Sequence, residues 1–321
     1  MAAPAVLAGT TGRAGRPGVK FGCGSPDPTA DQMEVAASFA AQEARFAGRR
    51  PDAAAINVDV YFHVVAQSKS LTDGYATNKM LSDQFKVLQD TFGPYGLTFT
   101  LKNTTYTIHQ SWALDGDELA MKRALRKGTY KTLNLYFLKD LGGYFGYCYF
   151  PDNVTSGSED FYYDGCSILY TTMPGGSATN FNLGYTVTHE VGHWFGLYHT
   201  FQGGCTGSGD FVSDTPAQAS STSGCPVGRD SCPSQAGVDP ITNYMDYSYD
   251  TCYEEFTSGQ AARIQSFWAQ YRANARDDPD VATPPAPAAP PAPAAPRPLV
   301  PSRPHPSAAP SPLFCEMPAI S

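Results

Sequence analysis

The chain has 321 residues, 42% of them hydrophobic and 12% aromatic, which is enough apolar material for one large packed domain or two moderate ones. A net charge of -8 without any Lys/Arg cluster lacks the electrostatic footprint of a nucleic-acid binder. No apolar run approaches the roughly 18 to 20 residues of a membrane-spanning helix, so neither nucleic acid nor membrane is an expected partner.

Residues 1–22 are small, Gly-rich and basic and read as a leader or propeptide remnant, although Met1 to Thr10 lack the basic start and apolar stretch of a secretion leader. Residues 23–50 read as a propeptide-like helical segment, because Met33, Val35, Ala36, Phe39, Ala40 and Phe46 recur at helical spacing. The main domain is expected over 51–276. It opens with Ile56, Val58, Val60, Phe62 and Val64 alternating with Asn57, Asp59, Tyr61, His63 and Val65, the period of two of a half-buried strand. Leu81, Phe85, Leu88 and Phe92 then share one face of a helix that Gly93-Pro94 ends. Strand character resumes from Leu97 to Ile108, a charged helix follows near Asp117 to Lys127, and further strands are expected at Leu133–Leu138 and Ser167–Thr171.

The chemistry lies in His189-Glu190-Val191-Gly192-His193-Trp194-Phe195-Gly196-Leu197-Tyr198-His199. On a helix, residues i and i+4 share a face, so His189 and His193 aim both imidazoles at one ion. Catalytic zinc takes three protein ligands and keeps a fourth position for water. Gly196 lacks a Cβ, so it tolerates positive φ and lets the chain turn to bring in His199 as the third ligand. Glu190, beside the first ligand, is expected to take a proton from the zinc-bound water and pass it to the leaving amine. His63, His109 and His305 lie far from this stretch and are not expected to be ligands.

Beyond His199 the texture is Gly, Ser, Asp, Pro and Cys as far as Tyr253, which reads as loop. A last helix is expected from Thr257, with Gln260 completing a capping box, through Ile264, Phe267, Trp268 and Tyr271. Residues 277–321 are Pro/Ala-rich and are expected to form an extended, disordered tail. Eight cysteines without any C-x-x-C pair point to disulfides in an oxidising compartment rather than to a zinc ribbon. The triplets Asn103-Thr104-Thr105 and Asn153-Val154-Thr155 are N-glycosylation acceptors compatible with secretion. Cys148 and Cys166 are close enough in sequence to staple one loop. Cys23 and Cys315 would then be left over, with Cys23 a latency thiol on the metal, a disulfide partner of Cys315, or a plain structural thiol.

H-E-x-x-H-x-x-G-x-x-H followed by a methionine turn, here Asn243-Tyr244-Met245-Asp246-Tyr247, is the metzincin pattern. With Gly203-Gly204-Cys205, Val212-Ser213-Asp214-Thr215-Pro216 and Gly224-Cys225-Pro226, the stretch from about Phe21 to about Arg272 resembles the pappalysin-type extracellular metalloproteases of fungi. One departure from many metzincins is Thr200, where an Asp is common; Thr is normal in the pappalysin-like branch. The resemblance implies a mixed α/β (α+β) zincin-like fold, with a twisted, mostly parallel sheet and active-site helix above a cleft, up to about residue 199. Below the cleft it implies a loop-rich, disulfide-bonded part over 200–276. Met245 would floor the zinc without ligating it, and Tyr247 would either stabilise the oxyanion or simply pack. The resemblance also implies the pairs Cys205 with Cys232 and Cys225 with Cys252, and a calcium site at Asp210 and Asp214, although Asp214 before Thr215-Pro216 is equally suited to ordering a turn.

The expected function is therefore a secreted, monomeric zinc endopeptidase acting on protein or peptide substrates, with an extended peptide lying antiparallel along a sheet edge. A zinc amidase or deacetylase of small substrates is one rival, which the long chain disfavours. An idle, zinc-stabilised adhesin is another, and Glu190 argues against it, since a structural zinc site needs no base.

Overall fold

A computed structural model describes residues 22–46 and 55–275. The leader region to residue 21, the stretch 47–54 and the Pro/Ala-rich end, with Cys315, lie outside the described residues.

Helix α1 (Ala30–Glu43) begins with a capping box in which Thr29 and Gln32 satisfy each other's backbone N–H groups. Strand β1 (Ile56–Ala66) follows, then α2 (Asn78–Phe92), β2 (Leu97–Ile108), α3 (Glu118–Leu125) and β3 (Leu133–Leu138). A short β4 (Gly146–Cys148), a five-residue α4 (Glu159–Tyr163) and β5 (Cys166–Leu169) lead to α5 (Tyr185–Trp194), and α6 (Ser258–Phe267) closes the fold. Its capping box of Thr257 and Gln260 is where the sequence predicts it, and a π-helical turn, Trp268–Arg272, continues it.

The five strands form one sheet in the order β2-β1-β3-β5-β4, parallel throughout except for β4, which runs antiparallel to β5 at the edge. This is the mixed α/β, mostly parallel architecture implied by the resemblance. The alternation predicted for β1 holds at its start, where Asn57 and Asp59 are exposed between Ile56, Val58 and Val60. Its second half departs from the half-buried expectation, because His63 and Val65 are buried as fully as Phe62 and Val64. The reason is a second apolar layer. Val58, Val60, Phe62 and Val64 pack with Leu88 and Phe92 of α2 and Val187 and Val191 of α5, while Val65 packs with Met121 of α3, Tyr136 and Leu138 on the opposite face. Helices thus cover both faces, as parallel strands require.

Two short elements escaped the sequence reading. Strand β4 has three residues, too few to display a period, and α4 barely more than one turn. From Thr200 to Phe256 the chain is irregular apart from a 3-10 turn at Asp250–Cys252 and an isolated bridge between Asn243 and Glu255. Disulfides join Cys205 to Cys232 and Cys225 to Cys252 there, and Cys148 to Cys166 across the β4–β5 pair. No described helix is long and apolar enough to cross a membrane.

Candidate metal centre and cleft

Helix α5 presents His189 and His193 one turn apart, and the chain then reverses at Gly196, whose φ is 95°. Two constraints demand glycine here. The left-handed conformation strains any L-residue, and a Cβ would sit 2.4 Å from Cδ1 of Phe267. The turn is closed by Leu197 N–H donating to the Gly192 carbonyl at 2.9 Å, and His199 returns to the two helical imidazoles. His193 Nε2 lies 3.1 Å from Nε2 of both His189 and His199.

The contact between His189 and His193 is not a hydrogen bond. The Nδ1 atoms of His189 and His193 face the carbonyls of Tyr244 and Leu197, each at 2.7 Å, and a carbonyl only accepts. Both Nδ1 atoms therefore carry the proton, and the Nε2 atoms confront one another with bare lone pairs. Burial pushes His189 down to about 4, and burial with the neighbouring imidazoles pushes His193 and His199 well below the ordinary value. Converging lone pairs on neutral imidazoles, with Nδ1 oriented by carbonyls, are the donor set of a cation site. Among the described residues Cys23, His189, His193 and His199 form the one such group, their ligand atoms within 4.8 Å of one another.

The floor comes from the lower part. Met245 is fully buried, and a Cβ on Gly192 would meet its Sδ at 2.5 Å, so the motif glycine admits the methionine turn. Asn243 holds that turn: its Oδ1 accepts from Met245 N–H at 3.0 Å and from Gln260 Nε2 at 3.0 Å, while its Nδ2 donates to Gln260 Oε1 at 2.8 Å. The residue that caps α6 thus also pins the methionine turn. Tyr247 places its hydroxyl 3.2 Å from His199 Nε2, and burial, then Cys23 and Glu190, raise its pKa strongly.

Glu190 is 1% exposed, and a Cβ on Gly146 of β4 would lie 2.7 Å from its Cγ. Residues before α1 cover this carboxylate. Gly22 and Gly24 hydrogen-bond to Phe145 and Gly146, and Cys23 pairs in parallel with Gly146, so the segment adds itself to the outer edge of β4. Cys23 Sγ lies 3.3 Å from Glu190 Oε2, and Ser25 Oγ donates to the same oxygen at 3.0 Å. Burial and the Glu190 charge push the Cys23 thiol well up. The sequence reading singled out Cys23 but missed Ser25, which no spacing rule marks.

Of the remaining predicted residues, Asp210 and Asp214 lie in one loop. Asp210 Oδ1 accepts from Val212 N–H and the Thr215 hydroxyl, and Asp214 Oδ2 from Gly259 N–H at 2.9 Å. Asp210 Oδ2 and Asp214 Oδ1 are buried without a hydrogen-bond partner among the described residues. Burial pushes Asp210 up to about 7. Asn103 on edge strand β2 and Asn153 are exposed. His63 is outside the ligand group, buried between Thr105 Oγ1 and Asn134 Oδ1, and His109 accepts from Trp112 N–H.

Residues 126–269 match the peptidase M43 family described as pregnancy-associated plasma protein-A. An extracellular metalloprotease of Sordaria macrospora is 63% identical over 276 residues, 85% of this chain and 95% of its own length. The chain is a pappalysin-family (M43) metalloprotease. One of Neurospora crassa is 65% identical over 257 residues, 79% of this chain and 90% of its own length. Among solved structures, Tannerella forsythia promirolysin aligns with a TM-score of 0.59 at 24% identity over 77% of this chain and 93% of that one, a likeness of fold. As an M43 metalloprotease the chain is a hydrolase of peptide bonds in protein or peptide substrates, it requires a metal, and, like its extracellular relatives, it is secreted.

Proposed function

We propose that this metalloprotease is a zinc endopeptidase in which His189, His193 and His199 hold the ion and Glu190 acts as general base and then general acid. The observation that carries this is the convergence of three Nε2 atoms, two of them necessarily unprotonated because Nδ1 is committed to a carbonyl. Zinc would supply Lewis acidity to the scissile carbonyl and to water. Glu190 takes the proton of the attacking water and returns it to the leaving amine nitrogen. Tyr247 donates its hydroxyl to the oxyanion as it forms, and Met245 remains an apolar floor.

The substrate is an extended peptide that pairs antiparallel with the outer edge of β4. A recess beside Glu190, walled by Phe145, Phe181, Tyr185 and Tyr253, receives the side chain after the scissile bond. Of its two carboxylates, Asp246 is engaged by Thr222 N–H, Tyr247 N–H and Gln218 Nε2. Asp250 Oδ2 is likewise engaged, accepting from Leu183 N–H at 2.7 Å.

Residues 23–50 act as a pro-segment ahead of a catalytic domain running from about 51 to 276, whose upper and lower parts meet near residue 199. Their chain runs parallel to β4, opposite to a substrate. Cys23 serves as the latency thiol, ligating the metal as thiolate, and Ser25 occupies the base. The unpartnered oxygens of Asp210 and Asp214 fit a calcium ion, a hard cation that takes oxygen ligands. Asn103 and Asn153 carry N-linked glycans, and the enzyme acts as a monomer.

Casein cleavage by the processed, zinc-loaded enzyme, with and without a chelator, tests the main reading, with Glu190→Ala as control. Chelator-insensitive cleavage, or full activity in Glu190→Ala, would overturn it.

A further inference from the structure

Two buried polar side chains from distant parts of the sequence converge on the last residue of α5, and a third is paired to one of them. Asp164, 2% exposed, follows α4; Arg126 follows α3; and Arg272 ends the last described helical turn. Asp164 Oδ2 accepts from an Arg126 guanidinium nitrogen at 2.9 Å. Its Oδ1 accepts from Arg272 at 2.8 Å and from the indole Nε1 of Trp194 at 3.0 Å. Arg272 lies 3.7 Å above the Trp194 ring and also donates to the Trp194 carbonyl at 3.3 Å. Burial works against the Asp164 charge, yet Arg272 and Arg126 hold its carboxyl below the usual range.

Trp194 directly follows His193 and lies two residues before the Gly196 reversal that brings in His199. A helix end leaves its last carbonyls without intrahelical partners and is free to fray. Here a guanidinium takes one of those carbonyls, with its positive charge at the favourable end of the helix dipole. The same guanidinium is locked to a carboxylate that also grips the indole. None of these groups reaches the cleft, so they act on the ligands only through Trp194.

We propose that Asp164 is a positioning residue of the metal centre: through Trp194 and Arg272 it fixes the C-terminal end of α5, and so the angle at which His193 and the Gly196 turn present the ligands. This rests on the assignment of His189, His193 and His199 as metal ligands. Supporting contacts one step beyond the ligands typically alter metal affinity by about 10- to 100-fold.

The test uses the full chain loaded with cobalt(II), whose visible absorption reports ligand geometry, together with zinc affinity by chelator competition. Trp194→Phe keeps an aromatic ring and deletes the N–H to Asp164; Asp164→Asn removes the charge at similar volume. Both are expected to shift the cobalt bands and weaken zinc binding about 10- to 100-fold. If Asp164→Asn fails to fold, Trp194→Phe alone decides. Wild-type cobalt bands and zinc affinity in Trp194→Phe, whatever the change in urea midpoint, would reduce the cluster to packing and overturn the proposal. Failure of the parent chain itself to take up one cobalt or zinc would instead overturn the ligand assignment, and this proposal with it.

Discussion

The proposed latency divides between a thiol and a hydroxyl, and Ser25→Ala in the uncleaved chain measures the hydroxyl's share. Ser25 Oγ donates to Glu190 Oε2 at 3.0 Å and accepts from Cys148 N–H at 2.8 Å, so it is held in place while it occupies the base. A hydrogen bond to a charged group contributes about 1.5 to 3 kcal/mol, and each 1.4 kcal/mol is about a factor of ten in an equilibrium. Removing it should raise the fraction of chains with a free cleft by about 10- to 150-fold. The assay is cleavage of a quenched fluorescent peptide by chain shown to be uncleaved on a gel. Cys23→Ala should also raise activity, and the double variant should exceed either single one. In the cobalt-loaded chain Cys23→Ala should abolish the thiolate charge-transfer band. A Ser25→Ala chain as inactive as its parent would remove the hydroxyl from the latch, and the same result for Cys23→Ala would remove the thiol.

Gly196→Ala should cost about 1 to 2 kcal/mol for the left-handed backbone and about 1 to 3 more for crowding against Phe267, read as urea unfolding of the metal-free chain. Adding Phe267→Leu should recover only the crowding share; a loss under about 1 kcal/mol from Gly196→Ala would refute both terms. Tyr247→Phe should lower kcat by about 10²- to 10³-fold at unchanged zinc content, whereas full turnover would leave Tyr247 a packing residue. Asp210, raised to about 7 against an unfolded value near 3.9, binds more protons folded than unfolded between those values. In chelator, its share of stability should therefore fall as pH rises from about 4 to about 7 and stay flat above. Asp250, also raised to about 7 by burial, contributes with the same sign. Calcium should flatten or invert the slope, and Asp210→Asn should remove its own part; melting curves identical with and without calcium would reject the site.

The sequence by itself determined the elements whose geometry repeats locally. Two imidazoles four residues apart on a helix and a glycine at the bend specify most of a metal site before any folding, because their spacing alone fixes their relative direction. The capping box at Thr257 and the alternation from Ile56 to Val64 are local in the same sense. Tertiary structure decided everything that depends on distant segments meeting. His63 and Val65 are buried because another layer covers the second face of β1, which no alternation encodes. Cys23 and Ser25 reach Glu190 across 167 and 165 positions, and Asp164 reaches Arg272 across 108. A lone serine or aspartate carries no period and no spacing, so its role exists only once the sheet edge and the helix end have been brought to it. The opening motif thus named the proposed metal ligands, while the folded chain alone determined which distant residues lie against them.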